Sequence, residues 1–143
     1  MGQLLVPVDP YDAGRTRSAV EQALRIQRDE PAVHIRLLRV QPRMSGHVAG
    51  YFGNRELQLL QHEAGTEDLQ FAEGLLKAAG ADFTSTVLVG RGAETIAQAA
   101  RQYGCDRIVF GDEPPSLAGR MFGSLAQQVR HLLGGASVQV IGS

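Results

Sequence analysis

The sequence contains few of the residues from which disulfide frameworks and zinc sites are built. Its 143 residues include one cysteine, Cys105, four histidines and no tryptophan. A single cysteine cannot form an internal disulfide, and the histidines are scattered without the spacing of metal ligands. We therefore expect no metal site. Cys105 stands between a glycine and an apolar strand pattern, where a small core residue fits. The lack of a secretory signal pattern leads us to expect a cytoplasmic protein, and a lone cysteine agrees with such a reducing compartment.

Charge of neither sign predominates, and long apolar runs are absent. The 14 lysines and arginines oppose 15 aspartates and glutamates, which leaves a formal net charge of -1. This balance gives no broad basic footprint for nucleic acid or for an anionic membrane. The apolar runs are a handful of residues long, too short for a membrane span or a secretory signal. We expect no nucleic-acid partner and no membrane partner.

The chain does have 43% hydrophobic residues, arranged in alternating strand and helix patterns. The strand patterns cover Gln3–Val8, Ala32–Val40, Asp82–Val89, Arg107–Phe110 and Val138–Ile141, and the helix patterns cover Arg15–Arg28, Asn54–Ala79, Ala93–Tyr103 and Leu125–Leu133. Strands separated by such helices pair in parallel through right-handed crossovers. The pattern therefore predicts one α/β domain over residues 1–143, with an open five-stranded parallel sheet flanked by helices on both faces.

Two residues interrupt these patterns. Pro7 lies inside the first strand pattern, where its missing N–H normally places a strand at an edge or at a bulge. We keep the strand because Pro7 is near its carboxyl end, where pairing is expected to stop. Gly65 lies inside the long helix pattern, and we expect that helix to bend or divide there.

The order of elements and several local patterns resemble the universal stress protein family. LLVPVD is similar to the family's first strand with an aspartate at its tip, and VLVGRGAETIAQAARQYGCDRIVFG is similar to its third strand, helix and fourth strand. GS followed by LAQQVRH resembles its last helix. The resemblance covers nearly the whole chain apart from Gln41–Arg55. It implies a Rossmann-like fold, a role in stress response through binding of ATP or AMP, weak or no hydrolysis, and a homodimer formed through the last strand, Val138–Ile141.

The loop after the fourth strand matches the family's phosphate-binding loop only in part. That loop reads Gly, two residues, Gly, nine residues, Gly, then Ser or Thr. Gly111 matches the first glycine, and Gly123 and Ser124 match the final pair, but Pro114 takes the place of the middle glycine. Proline has no N–H and fixes φ, so half of the cradle is altered. The residues expected to contact a phosphate at the start of the last helix are Gly111, Gly123, Ser124 and Leu125.

The resemblance also implies an adenine pocket at the tips of the first two strands. Asp9 matches the aspartate beside the adenine ring, Val8 precedes it, and main-chain groups of Val40 complete the pocket. Ligands of open α/β sheets lie beyond the carboxyl ends of the strands, which agrees with this placement. Asp9 precedes a proline and is equally able to form a turn. Asp112 and Glu113 repel a triphosphate unless a cation lies between them, so ATP is expected with Mg²⁺.

Other interpretations remain open at this stage. Eight residues separate Pro114 from Gly123, one fewer than in the family pattern. Pro114 and this shortened loop favour a family branch that has lost nucleotide binding and acts as a dimeric interaction protein, with Ser124 as an ordinary helix N-cap. An enzyme of related fold is a third class, but the sequence offers no nucleophile and base, and we assign no catalytic residue. Gly90–Thr95 is an incomplete dinucleotide fingerprint and is interpreted as a turn. The Gly-rich segment Met44–Asn54 is either a lid over the nucleotide site or a disordered tip.

Overall fold

The computed structural model describes residues 2–42, 53–111 and 125–142, which form five strands and four helices. In chain order these are β1 (Gln3–Pro7), α1 (Ala13–Asp29), β2 (His34–Gln41), α2 (Asn54–Ala78), β3 (Phe83–Val89), α3 (Gly92–Gln102), β4 (Arg107–Val109), α4 (Leu125–Leu133) and β5 (Gln139–Ile141). Every predicted element is present, with ends at most two residues from the predicted ones. Among the described residues, no helix has the length and apolar character needed to cross a lipid bilayer.

The five strands form one open, fully parallel sheet in the order β3–β2–β1–β4–β5. β1 is the central strand, and β3 and β5 are the two edges. In the register, Leu5 of β1 is opposite Arg36 of β2 on one side and Ile108 of β4 on the other. The carboxyl ends of all the strands therefore meet at one end of the sheet. The predicted open α/β fold is confirmed.

Helices cover both faces of the sheet and enclose two apolar cores. α1 and α2 cover one face, where Leu4 of β1 and Leu37 of β2 are fully buried. α3 and α4 cover the other face, where Leu5 and Leu38 are fully buried. Successive strand residues point to opposite faces, so neighbours in sequence enter different cores. Burial of both faces explains why residues 4–7 of β1 and residues 108–110 at the end of β4 are apolar runs.

Pro7 is compatible with the central position of β1 because of the direction in which its nitrogen faces. The Val8 N–H donates to the carbonyl of Leu38 in β2 (2.8 Å), so the even-numbered residues of β1 face β2 and Pro7 faces β4. The register between β1 and β4 extends only over Leu4 and Leu5. The missing donor of Pro7 thus falls beyond the last pair with β4 and leaves the pairing with β2 intact.

Gly65 does not divide α2, so of the two expectations for this position the division of the helix is wrong. The helix runs unbroken from Asn54 to Ala78. A β-carbon at residue 65 would overlap the side chain of Val87 on β3. The glycine therefore permits the close approach of α2 to the sheet. Helix period alone does not distinguish this packing role from a helix break.

Candidate functional site

A cavity of about 150 Å³ opens at the carboxyl ends of the strands. The chain leaves β1 toward β2 and β3 on one side and returns to β4 and β5 on the other, so the switch point of the strand order lies beside β1. Open parallel sheets bind their ligands at this point. The residues that line the cavity are Pro7, Val8, Asp9, Arg15, Thr16, Leu38, Arg39, Val40, Gly92, Ile96, Phe110, Gly111 and Leu125.

Most of the residues singled out from the sequence meet at this cavity. Its lining includes Val8, Asp9, Val40, Gly111 and Leu125. Gly123 and Ser124 lie outside the described residues, as do Pro114, the two acidic residues before it, and residues 44–52 of the Gly-rich segment. The tip of β1 and the first residue of α4 therefore border one cavity. The role of these residues in binding stays a prediction.

Asp9 forms the turn that leads from β1 into α1. Its Oδ1 accepts the N–H of Tyr11 (2.9 Å). The hydroxyl of Thr16, a residue that sequence analysis did not single out, accepts the Asp9 N–H (3.1 Å) and donates to the Asp9 carbonyl (2.9 Å). Asp12 completes the connection as the N-cap of α1, because its Oδ1 accepts the Arg15 N–H (3.0 Å). The tip of β1 is thus fixed to the first turn of α1, with Asp9 at the cavity.

Gly111 follows β4 and packs directly on the first turn of α1. A β-carbon at residue 111 would overlap the main-chain carbonyl of Arg15. Only glycine lets the two main chains approach this closely. The first glycine of the loop pattern therefore has a packing role in this chain, whatever its contribution to phosphate binding.

Helices α3 and α4 begin next to each other at the cavity. Gly92 is the first residue of α3 and Leu125 is the first of α4, and a β-carbon on Gly92 would lie 3.6 Å from Cδ1 of Leu125. Within the described part of the chain, Arg91 makes no side-chain capping hydrogen bond at the start of α3. The first N–H groups of a helix form the positive end of its dipole and attract anions. Both helix starts therefore favour a negatively charged group in the cavity.

Sequence analysis missed Arg39, which reaches the cavity from β2. Its side chain is only 10% exposed and forms an ion pair with Asp68 of α2, with 2.9 Å between Nε and Oδ2. Its Nη1 also donates a hydrogen bond to the main-chain carbonyl of Val40 (2.6 Å). A signal was present in the sequence, because Ile35, Leu37 and Arg39 alternate along one face of a strand. That alternation places a charged group on the face that α2 covers.

Nothing in the described residues indicates a metal centre or a reactive thiol. They contain no group of three or more His, Cys, Asp or Glu side chains that could hold a metal ion. Cys105 is buried against the core under α3 and α4, and burial raises the pKa of its thiol to about 11. A thiol with this pKa is protonated at neutral pH and is a weak nucleophile. Cys105 is a core residue, as its position in the sequence predicted.

The model of the universal stress protein family matches residues 1–133. The chain belongs to the universal stress protein family. The resemblance carried by LLVPVD and by the segment from β3 to β4 is thereby confirmed. Among curated protein sequences, none matches this universal stress protein.

Solved structures of universal stress proteins share the fold. A universal stress protein in complex with cAMP is 21% identical, with a TM-score of 0.71 over 99% of this chain and 96% of that chain. One from Archaeoglobus fulgidus in complex with dAMP is 20% identical, with a TM-score of 0.63 over 99% and 97% of the two chains. A family protein from Arabidopsis thaliana with AMP bound is 17% identical, with a TM-score of 0.65 over 99% and 90%. At these identities the comparison establishes the fold.

Proposed function

We propose that this universal stress protein binds an adenine nucleotide, AMP or ATP, weakly, and acts in stress response as a homodimer. The main support for nucleotide binding is that Val8, Asp9, Val40, Gly111 and Leu125 all border the same cavity. The related structures with cAMP, dAMP and AMP support an adenine nucleotide as the ligand. The expected location in the cytoplasm stays a prediction.

In this proposal the base and the phosphate of the nucleotide lie at different ends of the cavity. The base lies at the tips of β1 and β2 next to Val8, and Ile96 of α3 and Phe110 after β4 add apolar surface to the same cavity. The phosphate lies at the start of α4, where main-chain N–H groups and the helix dipole stabilise an anion. Gly123 and Ser124, which immediately precede α4 in sequence, add an N–H and a hydroxyl. With ATP, a Mg²⁺ ion would offset the repulsion between the triphosphate and the acidic residues Asp112 and Glu113 of the preceding loop.

Pro114 is the reason that we propose weak binding. At its position the family pattern has a glycine, which offers an N–H and tolerates positive φ, whereas proline offers neither. Loss of one hydrogen bond to a charged phosphate costs about 1.5–3 kcal/mol, which corresponds to a ten- to hundredfold loss of affinity.

Isothermal titration with AMP and with ATP, each with and without Mg²⁺, tests the proposal. We expect saturable binding, with ATP binding strengthened by Mg²⁺. Pro114→Gly should tighten binding by about tenfold because it restores the donor. Pro115→Gly is the matched control, since it also replaces a proline of the same loop but not at the position of the family glycine, and it should leave the affinity unchanged. If both variants and the wild type bind AMP and ATP with equal affinity, Pro114 is not the cause of weak binding.

The alternative function, a dimeric interaction protein without nucleotide binding, has two observations in its favour. The packing of Gly111 on Arg15 explains that glycine without any phosphate. Arg39 already donates to the Val40 carbonyl, a main-chain group of the proposed adenine pocket. This alternative predicts an intact dimer that gives no heat with AMP or ATP in the same titrations.

The proposal of a homodimer is based on the edge strand β5. The Gln139 N–H donates to the Asp106 carbonyl (2.9 Å), and the Phe110 N–H donates to the Ile141 carbonyl (2.8 Å). The odd-numbered residues of β5 thus face β4, and the main-chain groups of Val140 face away from the sheet. An outward-facing row of main-chain groups is a template for pairing with a second copy of the chain.

Arg130 of α4 contacts this same edge. Its Nη2 donates to the carbonyl of Val140 (3.2 Å) and to that of Gly142 (2.6 Å). Main-chain pairing through β5 therefore competes with Arg130 for these carbonyls.

A further inference from the structure

The outer edge of β3 presents main-chain groups that have no partner among the described residues. The Gly90 N–H donates to the Gln41 carbonyl of β2 (3.0 Å), so the even-numbered residues of β3 face β2. The N–H and carbonyl groups of the odd-numbered residues therefore face away from the sheet. β3 is an edge in the strand order, and no described strand pairs with its outer side. The outward-facing residues are Phe83, Ser85, Val87 and Val89.

β3 lacks the features that usually prevent an edge strand from pairing. Its sequence FTSTVLV contains no charged residue and no proline, and Val89 is 44% exposed. The other edge strand, β5, is shorter, and Arg130 donates to the outward-facing carbonyl of Val140. In the described part of the chain, no side chain bonds to the outward main-chain groups of β3. The β3 edge is therefore the longer template for the addition of a strand.

A groove of about 450 Å³ lies between β3 and α3. Side chains of an added strand alternate between the two faces of the sheet, so every second one lies on the side of this groove. Thr95, Gln98 and Gln102 of α3 line the groove with uncharged hydrogen-bonding groups. Its charged lining residues, Arg91 and Glu94, form an ion pair with each other (3.7 Å). The groove thus suits uncharged side chains of an added strand.

The two faces of the sheet differ in charge at β3. On the α2 face, the Glu73 carboxylate accepts the hydroxyl hydrogen of Ser85 (2.8 Å), next to the outer edge. On the α3 face, Arg36 donates to the hydroxyl of Thr86 (2.8 Å), which disfavours a further positive charge there. The edge therefore favours positively charged side chains on the α2 face and uncharged ones on the α3 face. The whole helix α2 has a net negative charge, because its acidic residues are Glu56, Glu63, Glu67, Asp68 and Glu73 and its basic residues are Arg55 and Lys77.

This charge distribution favours a partner segment over a second copy of the chain. Antiparallel pairing of two β3 edges would place two negatively charged α2 helices side by side on one face of the sheet, where they repel. If copies paired through both β3 and the proposed β5 edge, the sheet would also extend without closure. A single strand from another protein avoids both problems, because it brings no second α2 and ends the sheet.

We propose that the β3 edge binds an extended segment of a partner protein in which positively charged and uncharged residues alternate. Main-chain hydrogen bonds to the odd-numbered residues of β3 hold the segment. Its positively charged side chains lie on the α2 face near Glu73, and its uncharged side chains lie at the groove beside α3. This interaction is separate from nucleotide binding, because it uses the edge of the sheet and not the cavity at the strand tips.

Amide hydrogen exchange, followed by NMR on ¹⁵N-labelled protein, tests the proposal at single residues. In dilute free protein, the N–H groups of Ser85, Val87 and Val89 should exchange fast, whereas those of the even-numbered residues of β3 should be protected. The probe is a seven-residue peptide of alternating lysine and valine, blocked at both ends. It should slow exchange at the odd-numbered positions by about tenfold or more. The same peptide with glutamate in place of lysine is the control and should have no effect.

Two variants test the main-chain and the charge contributions to peptide binding. Ser85→Pro removes one outward donor at a position where an edge strand tolerates proline, and it should weaken binding of the lysine–valine peptide by about tenfold. Ser85→Ala is the matched control, because it removes the hydroxyl but keeps the N–H. Glu73→Lys should weaken binding of the same peptide by about fivefold. Thermal unfolding checks that each variant folds, and Glu73→Lys keeps the test valid if Ser85→Pro does not fold.

Three results would overturn the proposal. The first is fast exchange at the odd-numbered positions that the lysine–valine peptide leaves unchanged. The second is equal protection of odd and even positions in dilute free protein, which would show that the chain itself covers this edge. The third is protection that appears only as the protein concentration rises, which would identify a second copy as the occupant. None of these results bears on nucleotide binding, which calorimetry with AMP and ATP measures separately.

Discussion

Gly111 lies so close to the main-chain carbonyl of Arg15 that a β-carbon at residue 111 would overlap the carbonyl oxygen. The end of β4 and the first turn of α1 meet through this contact, at the border of the cavity. A glycine that a family pattern associates with phosphate binding is thus required by packing between two elements. Its presence in the sequence is not by itself evidence for a nucleotide.

We predict that Gly111→Ala destabilises the protein by about 1–3 kcal/mol, the usual cost of forcing an extra methyl group into a packed site. Urea denaturation measures the change. Gly135→Ala is the control, because a β-carbon there meets no atom within 4 Å, and it should change stability by less than about 0.5 kcal/mol. Equal stabilities of the two variants contradict the packing role of Gly111.

Two glycines of α2 should respond in opposite directions to alanine. Gly65→Ala is expected to cost about 1–3 kcal/mol, since its methyl group overlaps Val87 of β3. Gly74→Ala is expected to stabilise by about 0.5–1 kcal/mol, because the position is in the same helix, a β-carbon there meets no atom within 4 Å, and alanine restricts the unfolded chain more than glycine does. Thermal or urea unfolding of both variants checks this pair. A stabilising Gly65→Ala would show that α2 readily moves away from the sheet.

Removal of Arg130 should strengthen self-association through β5. In Arg130→Ala the carbonyls of Val140 and Gly142 lose their side-chain donor and become available to a second chain, so we expect a homodimer about tenfold tighter in sedimentation equilibrium. Arg101→Ala is the matched control, because Arg101 also donates to a main-chain carbonyl, that of Leu132 in α4 (3.2 Å), but not on β5. If the two variants associate equally, β5 is not the dimer edge.

Cys105 should make stability depend on pH under alkaline conditions. Burial raises the pKa of the folded thiol to about 11 from its ordinary value of 9.0. Between pH 9 and pH 11 the thiol ionises in the unfolded chain but stays protonated in the folded protein. The contribution of Cys105 to the free energy of unfolding is therefore complete below about pH 9 and is lost as the pH rises to about 11. The difference in free energy of unfolding between the wild type and Cys105→Ala should therefore fall across this interval. A difference that is constant with pH would indicate that the folded thiol ionises normally.

The order of the elements was predictable because each strand and helix is covered on one or both faces by a core. Burial imposes a period of two or of 3.6 on the apolar residues, and that period is visible in the sequence. The ends of helices were also predictable where Gly80 and Gly104 adopt φ of 70° and 65° after α2 and α3. These signals are local, so a single segment contains them.

The site was less predictable because its decisive contacts join segments that are distant in the chain. The pairing of Arg39 with Asp68 depends on how α2 lies on the sheet, as does the close packing of Gly65 on Val87 outside the cavity. The period of the apolar residues within one segment does not indicate how closely that segment packs against a distant one. The strand tips of the predicted site did come together, because parallel strands align their carboxyl ends whatever the details of packing.

The binding of an adenine nucleotide at the carboxyl ends of the strands is the central claim, and a titration of ¹⁵N-labelled protein with AMP tests it most directly. The claim predicts saturable changes in the amide resonances of Val8, Asp9, Val40, Gly111 and Leu125. A separate groove lies between α3 and α4 and is lined in part by Gln128 and His131, whose resonances should change little. The absence of any change at millimolar AMP, or changes confined to that groove or to β5, would contradict it.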